Sequence, residues 1–273
     1  MRRAIPSIVA AGAWVVQFGV PAGAAECPEA LANSLRLALV TTSDMRTTVA
    51  QIRRYVRAST SAPWVQEGAS EPAVVGTAGL GWGATFDSFR FGSEPLKVEG
   101  DRRTPAGVFS LRASFGFAPS ALAGHVLLQP GKSLCVDDPS SLHYNSIQTR
   151  VVAGAGTSGE EMWRIPVYRS GIFINYPTDR ARRRGSCVFV HIWRSPTNGT
   201  AGCIALPEAR VKALQSFSSS GAAIAILPVR SLARFQGCLP TITASASEGS
   251  TRTVTDRKLP ENSAPTGTVH SPR

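Results

Sequence analysis

Apolar residues in this chain come in short runs set between turn-forming residues, and β-branched side chains dominate the runs. The segment "RLALVTTSDMRTTVAQIRRYV" (36–56) holds two such runs broken at Ser43-Asp44, which predicts two strands joined by a turn. "PAVVGTAGLGWG" (72–83) reads as a strand entering a glycine-rich loop, and "LKVEGDRRTPAGVFSL" (96–111) as strand, polar loop, strand. "HVLLQP" (125–130) is a short strand, "WRIPVYRSGIFINYP" (163–177) a hairpin-like pair turning at Arg169-Ser170-Gly171, and "CVFVHIW" (187–193) another strand. A helix is predicted in "LPEARVKALQSF" (206–217). Pro207 stands near its first turn, an acid follows, and Val211, Leu214 and Phe217 recur at helical spacing. "AAIAIL" (222–227) is a closing strand. The spacing does not fit a βαβ series, so the chain reads as mostly β with one or two helices.

The two ends depart from this pattern. "MRR" is followed by the uncharged apolar stretch "IPSIVAAGAWVVQFGV" and by Ala22-Gly23-Ala24, a small-x-small cleavage pattern. Residues 1–24 are therefore expected to be a secretory signal. A membrane anchor is the alternative, but the stretch is short and interrupted by Pro and Gly. No other segment is long and apolar enough to cross a membrane. From about residue 240 the sequence is rich in Ser, Thr and Pro and lacks aromatics, so it cannot bury enough surface to offset chain entropy. Residues 240–273 are expected to be a disordered tail, which also removes His270 from consideration.

Composition adds three constraints. Gly and Pro are plentiful, 25 and 19, which argues for turns and against a helical bundle. The formal charge is +11, and a basic exported protein would meet anionic envelope polymers first. The basic residues are dispersed rather than clustered on one helix, which disfavours nucleic acid. The one dense run, "DRARRRG" (179–185), is expected to be a solvated loop, with a binding lip beside a cleft as the alternative. Five cysteines are an odd number: four can pair, and one is left as a candidate reactive thiol.

The chemistry concentrates in "GSCVFVHIWRSPTNGTAGCIALPEA" (185–209). Strand alternation puts Cys187, Phe189, His191 and Trp193 on one face and Val188, Val190 and Ile192 on the other. The second face is aliphatic core, and the first suits a cleft wall. The chain then leaves through a polar excursion and returns at Thr200-Ala201-Gly202-Cys203. Gly202 allows close backbone approach, and a cysteine after such a turn presents its sulfur and its own N–H to one point. With an imidazole to take the thiol proton and backbone N–H groups to hold an oxyanion, this is what a thiol acyl-transferase needs. No carboxylate is evident to orient His191, so a backbone carbonyl is expected to do so. Zinc is the rival, with Cys187, His191 and Cys203 as three ligands, but the spacing supplies no Cys-x-x-Cys pair and no fourth ligand. "GTAGLGWG" lacks the Lys-Ser/Thr ending of a phosphate loop.

"HIW…TAGCIAL" resembles the active-site signature of the YkuD-type L,D-transpeptidase catalytic domain, a histidine followed by Ser/Thr-x-Gly-Cys. "KVEGDRRTPAGVF" is similar to that family's second landmark, Gly-Asp-x-x-Thr-Pro-x-Gly, and the likeness spans roughly residues 72–228. It implies a β-sandwich-like, mostly β catalytic domain with one or two short helices, over residues 72–239, on which N-terminal strands from 25–71 pack. It implies a ping-pong acyl transfer between peptidoglycan stem peptides, with no cofactor and no metal. Cys203 carries over as nucleophile, His191 as base, and Gly202 and Thr200 as shapers of the turn and oxyanion hole. Two positions depart from the pattern: Ala201 and Ala205 stand where many members have His and a cationic residue. Arg194 is the substitute anchor suggested by proximity, with Trp193 and Tyr176 as further substrate-binding candidates. The resemblance places Cys135 and Cys187 near the cleft, and Cys27 and Cys238 bracket the folded region, so Cys135–Cys187 and Cys27–Cys238 are the expected disulfides. The chain is then an exported, monomeric enzyme of the periplasm or cell wall. It acts on stem peptides, with no nucleic acid partner and no stable span after signal cleavage. Hydrolysis of the same peptides, as an L,D-carboxypeptidase or amidase, and a non-catalytic wall-binding domain are the alternatives. Asp101 is expected to shape its loop and Asp137 and Asp138 a turn. Tyr144 and Asn145 read either as cleft lining or as rim or core, and His125 and His143 have no evident partner.

Overall fold

The computed structural model describes residues 27–242, so the expected signal segment and nearly all of the expected tail lie outside the described residues. Thirteen strands are formed: β1 (Arg36–Thr42), β2 (Val49–Val56), β3 (Val65–Val74), β4 (Leu80–Trp82), β5 (Thr104–Gly116), β6 (Val126–Leu127), β7 (Ser133–Val136), β8 (Ile147–Thr149), β9 (Gly159–Glu160), β10 (Ser170–Asn175), β11 (Phe189–Ile192), β12 (Ile204–Leu206) and β13 (Ala222–Pro228). Three α-helices accompany them: α1 (Glu29–Ala32), α2 (Arg150–Ala153) and α3 (Glu208–Ser218). The mostly β expectation holds.

The strands make a ring. In the large sheet β10, β11, β12, β3, β2, β1, β13 and β5 pair in that order, and β5 pairs back onto β10. The sandwich-like layers are thus one sheet closed on itself, which leaves those eight strands no open edge. β1 and β13 run parallel at its centre, and every residue of "AAIAILP" is buried, as the near-continuous apolar run requires. β2 alternates, burying Ala50, Ile52 and Tyr55 across a register shift between Ile52 and Arg54. A boundary between residues 71 and 72 falls inside β3, and β1 and β2 are members of the ring itself. α3 buries Val211, Leu214 and Phe217 against the ring. Its buried Gln215 donates to the carbonyls of Phe115 and Gly171, which ties the helix to β5 and β10.

Two predicted strands are not there. Leu96–Val98 makes only a bridge between Leu96 and Trp82. The segment instead closes around the Asp101 carboxylate, which accepts from Lys97 Nζ and from the backbone N–H groups of Val98 and Arg103. Residues 163–169 form two 3₁₀ turns rather than the first arm of a hairpin. Pro166 fixes φ and removes a ladder donor there, so β10 pairs with β5 and β11 instead.

A separate three-stranded sheet, β8-β7-β9, carries α2 on its flank. The Cys135–Cys187 disulfide fastens it to the approach to β11. The second disulfide joins Cys27 to Cys238. Nearby, Arg57 donates to the carbonyls of Leu31, Ala32 and Ser34 and lies over Trp64, whose indole N–H donates to the Cys238 carbonyl.

Candidate active site

Parallel pairing of β11 with β12 sets the site. Val190 lies opposite Ile204 and His191 opposite Ala205. Cys203 immediately precedes β12 and shares the parity of Ala205, so its side chain falls on the face that carries Phe189 and His191. That face is buried rather than an open cleft wall: Phe189, Cys187 and Cys203 join Tyr168 and Phe115 in one buried cluster. Cys187 belongs to it by a different route. It lies before the strand with φ of 54°, and its N–H donates to Asn145 Oδ1. The disulfide also takes Cys187 away from the zinc alternative. Cys203 is left with a free thiol, 7 % exposed.

The turn before Cys203 is tightly braced. Gly202 has φ of 151°, and a Cβ there would lie 3.1 Å from the Arg103 carbonyl oxygen. Thr200 Oγ1 accepts from Gly202 N at 3.0 Å and donates to the Cys203 carbonyl at 2.6 Å. Thr104 Oγ1 donates to the same carbonyl at 3.1 Å and accepts from Gly76 N. The two landmark segments, Thr-Pro-x-Gly and Thr-Ala-Gly-Cys, thus meet at one peptide. Thr200 and Gly202 shape the turn. The Gly202 N–H and the Thr200 hydroxyl are spent on each other and on Cys203.

His191 is oriented by backbone. Its Nδ1 lies 2.8 Å from the Ile192 carbonyl, which can only accept, so Nδ1 carries the proton and Nε2 keeps its lone pair. Burial, with a contribution from the positive charge of Arg194, pulls the imidazole down to about 4 despite the favourable carbonyl contact. Tyr168 meets the ring edge to face at 5.2 Å. The Cys203 thiol is pushed up to about 12, first by burial and then by the charge of Glu160; the Phe189 N–H, the Tyr168 hydroxyl and the Lys97 cation oppose this. Both groups are therefore neutral at pH 7. The arrangement can pass the thiol proton to imidazole during attack on a carbonyl, rather than holding a ready-made ion pair. Iodoacetamide labelling of Cys203 is accordingly expected to rise about tenfold per pH unit from pH 7 to pH 10. A rate that levels off below pH 8, followed by intact mass, would show a thiolate already formed.

Three residues that strand alternation does not reveal surround the thiol. Tyr168, in the same buried cluster as Cys203, donates to Glu160 Oε2 at 2.8 Å, and burial raises the Glu160 carboxyl. Lys97, 3 % exposed, pairs with Asp101 at 2.5 Å, and its Nζ lies 3.8 Å from where a Gly202 Cβ would stand. Asp101 shapes its loop as expected. Tyr176 is corrected: it is 1 % exposed, packs edge-on against Phe109, donates to the Arg184 carbonyl and accepts from Ala84 N, so it cannot contact substrate. Trp193 is half-buried and Arg194 exposed beyond the end of β11. The basic run is also corrected at one position. Arg184 is buried, bidentate on Asp87 and bonded to the carbonyls of Trp82 and Lys97. Its neighbours Arg182 and Arg183 are exposed. Tyr144 donates to Glu99 and Asn145 links Tyr176 to Cys187, so both brace loops. His125 bonds Ser114 and the Ala118 carbonyl, and Asp138 caps a turn at Ser140.

The family model YkuD, the L,D-transpeptidase catalytic domain, matches residues 53–229. The chain belongs to the YkuD family. No curated protein and no solved structure matches it. The YkuD match begins inside β2 and ends just after β13, so it takes in both landmark segments and the Cys203–His191 face. YkuD domains act on peptidoglycan peptides and are typically associated with the cell wall.

Proposed function

We propose that this chain is an exported cysteine L,D-transpeptidase that links peptidoglycan stem peptides through a thioester at Cys203. His191 Nε2 takes the thiol proton as sulfur bonds to the donor carbonyl carbon. The C–N bond to the terminal D-amino acid then breaks, and the departing amine takes that proton. An amine from a second stem attacks the thioester, gives a proton to His191, and restores the thiol. Arg194, exposed and three residues past His191, is the cation assigned to the donor carboxylate, since Ala205 is buried and uncharged.

The observation that carries this reading is the free thiol of Cys203 on the same face, in adjacent parallel strands, as a neutral imidazole whose proton is fixed on Nδ1. Two disulfides fit an oxidising compartment, and no helix among the described residues is long and apolar enough to cross a membrane. Tetrapeptide muropeptides incubated with the protein are expected to yield cross-linked dimers and free D-amino acid, read by mass. Shortened monomers alone would mean that water is the acceptor. Neither product would leave a wall-binding domain.

A further inference from the structure

A cavity of about 830 Å³ lies away from Cys203. It opens between the turn at Asp44–Arg46, the loop at Phe91–Pro95 and the segment carrying Arg230 and Arg234. Four arginines line it, Arg46, Arg103, Arg230 and Arg234, against two carboxylates, Asp44 and Glu94. These carboxylates are already engaged. Glu94 accepts from Arg234, Trp82 Nε1 and Phe91 N and lies near Arg230; these partners overcome burial and hold it down to about 2. Asp44 turns back onto the N–H groups of Arg46 and Thr47.

That leaves two cations without a carboxylate partner among the described residues. Arg103 is fixed in the wall because its Nη1 donates to the carbonyls of Met45, Ala78 and Leu80, which hold the guanidinium without neutralising it. Arg46 is exposed at the mouth. Guanidinium forks recognise carboxylates and phosphates. At the rim Phe91 is 77 % exposed. A lone exposed phenyl means little, but an aromatic face is negative, and the C–H groups of a sugar ring are its natural partner. The cavity is large enough for a ligand of one to two sugar rings.

We infer that this cavity is a binding site for an anionic saccharide, with the carboxylate or phosphate held by Arg46 and Arg103 and a sugar ring laid on Phe91. The site is separate from the transfer chemistry proposed at Cys203 and does not depend on it. The Arg103–Thr104 segment links the two, through the Arg103 side chain on one side and the Thr104 hydroxyl on the Cys203 carbonyl on the other.

The test is calorimetric titration of the intact chain with four probes: N-acetylmuramic acid, N-acetylglucosamine 1-phosphate, N-acetylglucosamine and inorganic phosphate. Both charged sugars are expected to bind, at least about tenfold more tightly than the neutral sugar or phosphate alone. The tighter of the two identifies the source, a carboxylated wall sugar or a phosphate-bearing envelope glycan. Arg46→Glu should abolish binding of both. Phe91→Ala should weaken the charged sugars about tenfold and leave phosphate unchanged. Both residues are exposed, so the variants should fold as the parent does, with unchanged denaturation midpoints. The inference is overturned if no charged sugar binds, or if binding survives Arg46→Glu and Phe91→Ala undiminished. Because no turnover is read, failure here leaves the Cys203 proposal untouched, and failure of that proposal leaves this one untouched.

Discussion

Replacing Cys203 by Ala is expected to lower turnover of tetrapeptide donors at least about 10⁴-fold, because nothing else near His191 can form the covalent intermediate. Cys187 and Cys135 share the buried cluster with Cys203, and the disulfide between them removes both as substitutes. The Ser variant should be nearly as poor. Burial already pushes the thiol up to about 12, and a hydroxyl in the same surroundings would surrender its proton less readily still. The loss must be separated from unfolding. Cys203 is small, and its turn is held chiefly by hydrogen bonds to its carbonyl from Thr104 and Thr200, with one weak bond from its Sγ to the Cys187 carbonyl at 3.5 Å. The Ala variant should therefore keep its stability within about 1 kcal/mol. Assays of donor loss, paired with urea denaturation, read both effects. Retained turnover in a folded Cys203→Ala protein would remove the thioester from the account.

The largest effect on stability is expected at Arg184. Its guanidinium is 4 % exposed and reaches both oxygens of Asp87 at 2.6 Å, the Lys97 carbonyl at 2.6 Å and the Trp82 carbonyl at 3.0 Å. Arg184→Met fills similar space but strands those acceptors, two of them on buried residues. The Asp87 side chain is 34 % exposed, so water takes up part of its charge, and each stranded buried carbonyl is expected to cost about 1–3 kcal/mol. The denaturation midpoint should fall accordingly. A change below about 1 kcal/mol would mean that water replaces the guanidinium without penalty. Because Arg184 holds the carbonyl of Lys97, whose ammonium sits beside the Cys203 turn, the variant should also label Cys203 at an altered rate.

Arg184 shows why part of this molecule could not be read from its sequence. In "DRARRRG" nothing local distinguishes it from its solvated neighbours. Its partner Asp87 is 97 positions away, and only the folded chain brings them together. Lys97 and Glu160 are similar cases, since their relation to Cys203 is made by loop closure and by a second sheet that periodicity did not predict. Tyr176 is a similar case, since its burial follows from packing edge-on against Phe109, which no local pattern reveals. By contrast β1, β2, β13 and α3 follow directly from apolar spacing, because one face or both must be buried wherever the chain goes. The His191 face was equally plain, since strand alternation is a local rule. The turn at Gly202 was also visible, but not the fate of its N–H group, which depends on the side-chain rotamer of Thr200. The disulfide pairings rested on family resemblance, as four cysteines alone permit three arrangements.

The central claim is a covalent intermediate on Cys203. Its most direct measurement is intact-mass analysis of the protein quenched in acid during turnover of a tetrapeptide donor, followed by peptide mapping. The account predicts an added mass equal to the donor minus its terminal D-amino acid, located on the peptide containing Cys203 and lost on addition of an acceptor amine. Product formation with no adduct, or an adduct on any other residue, would contradict it.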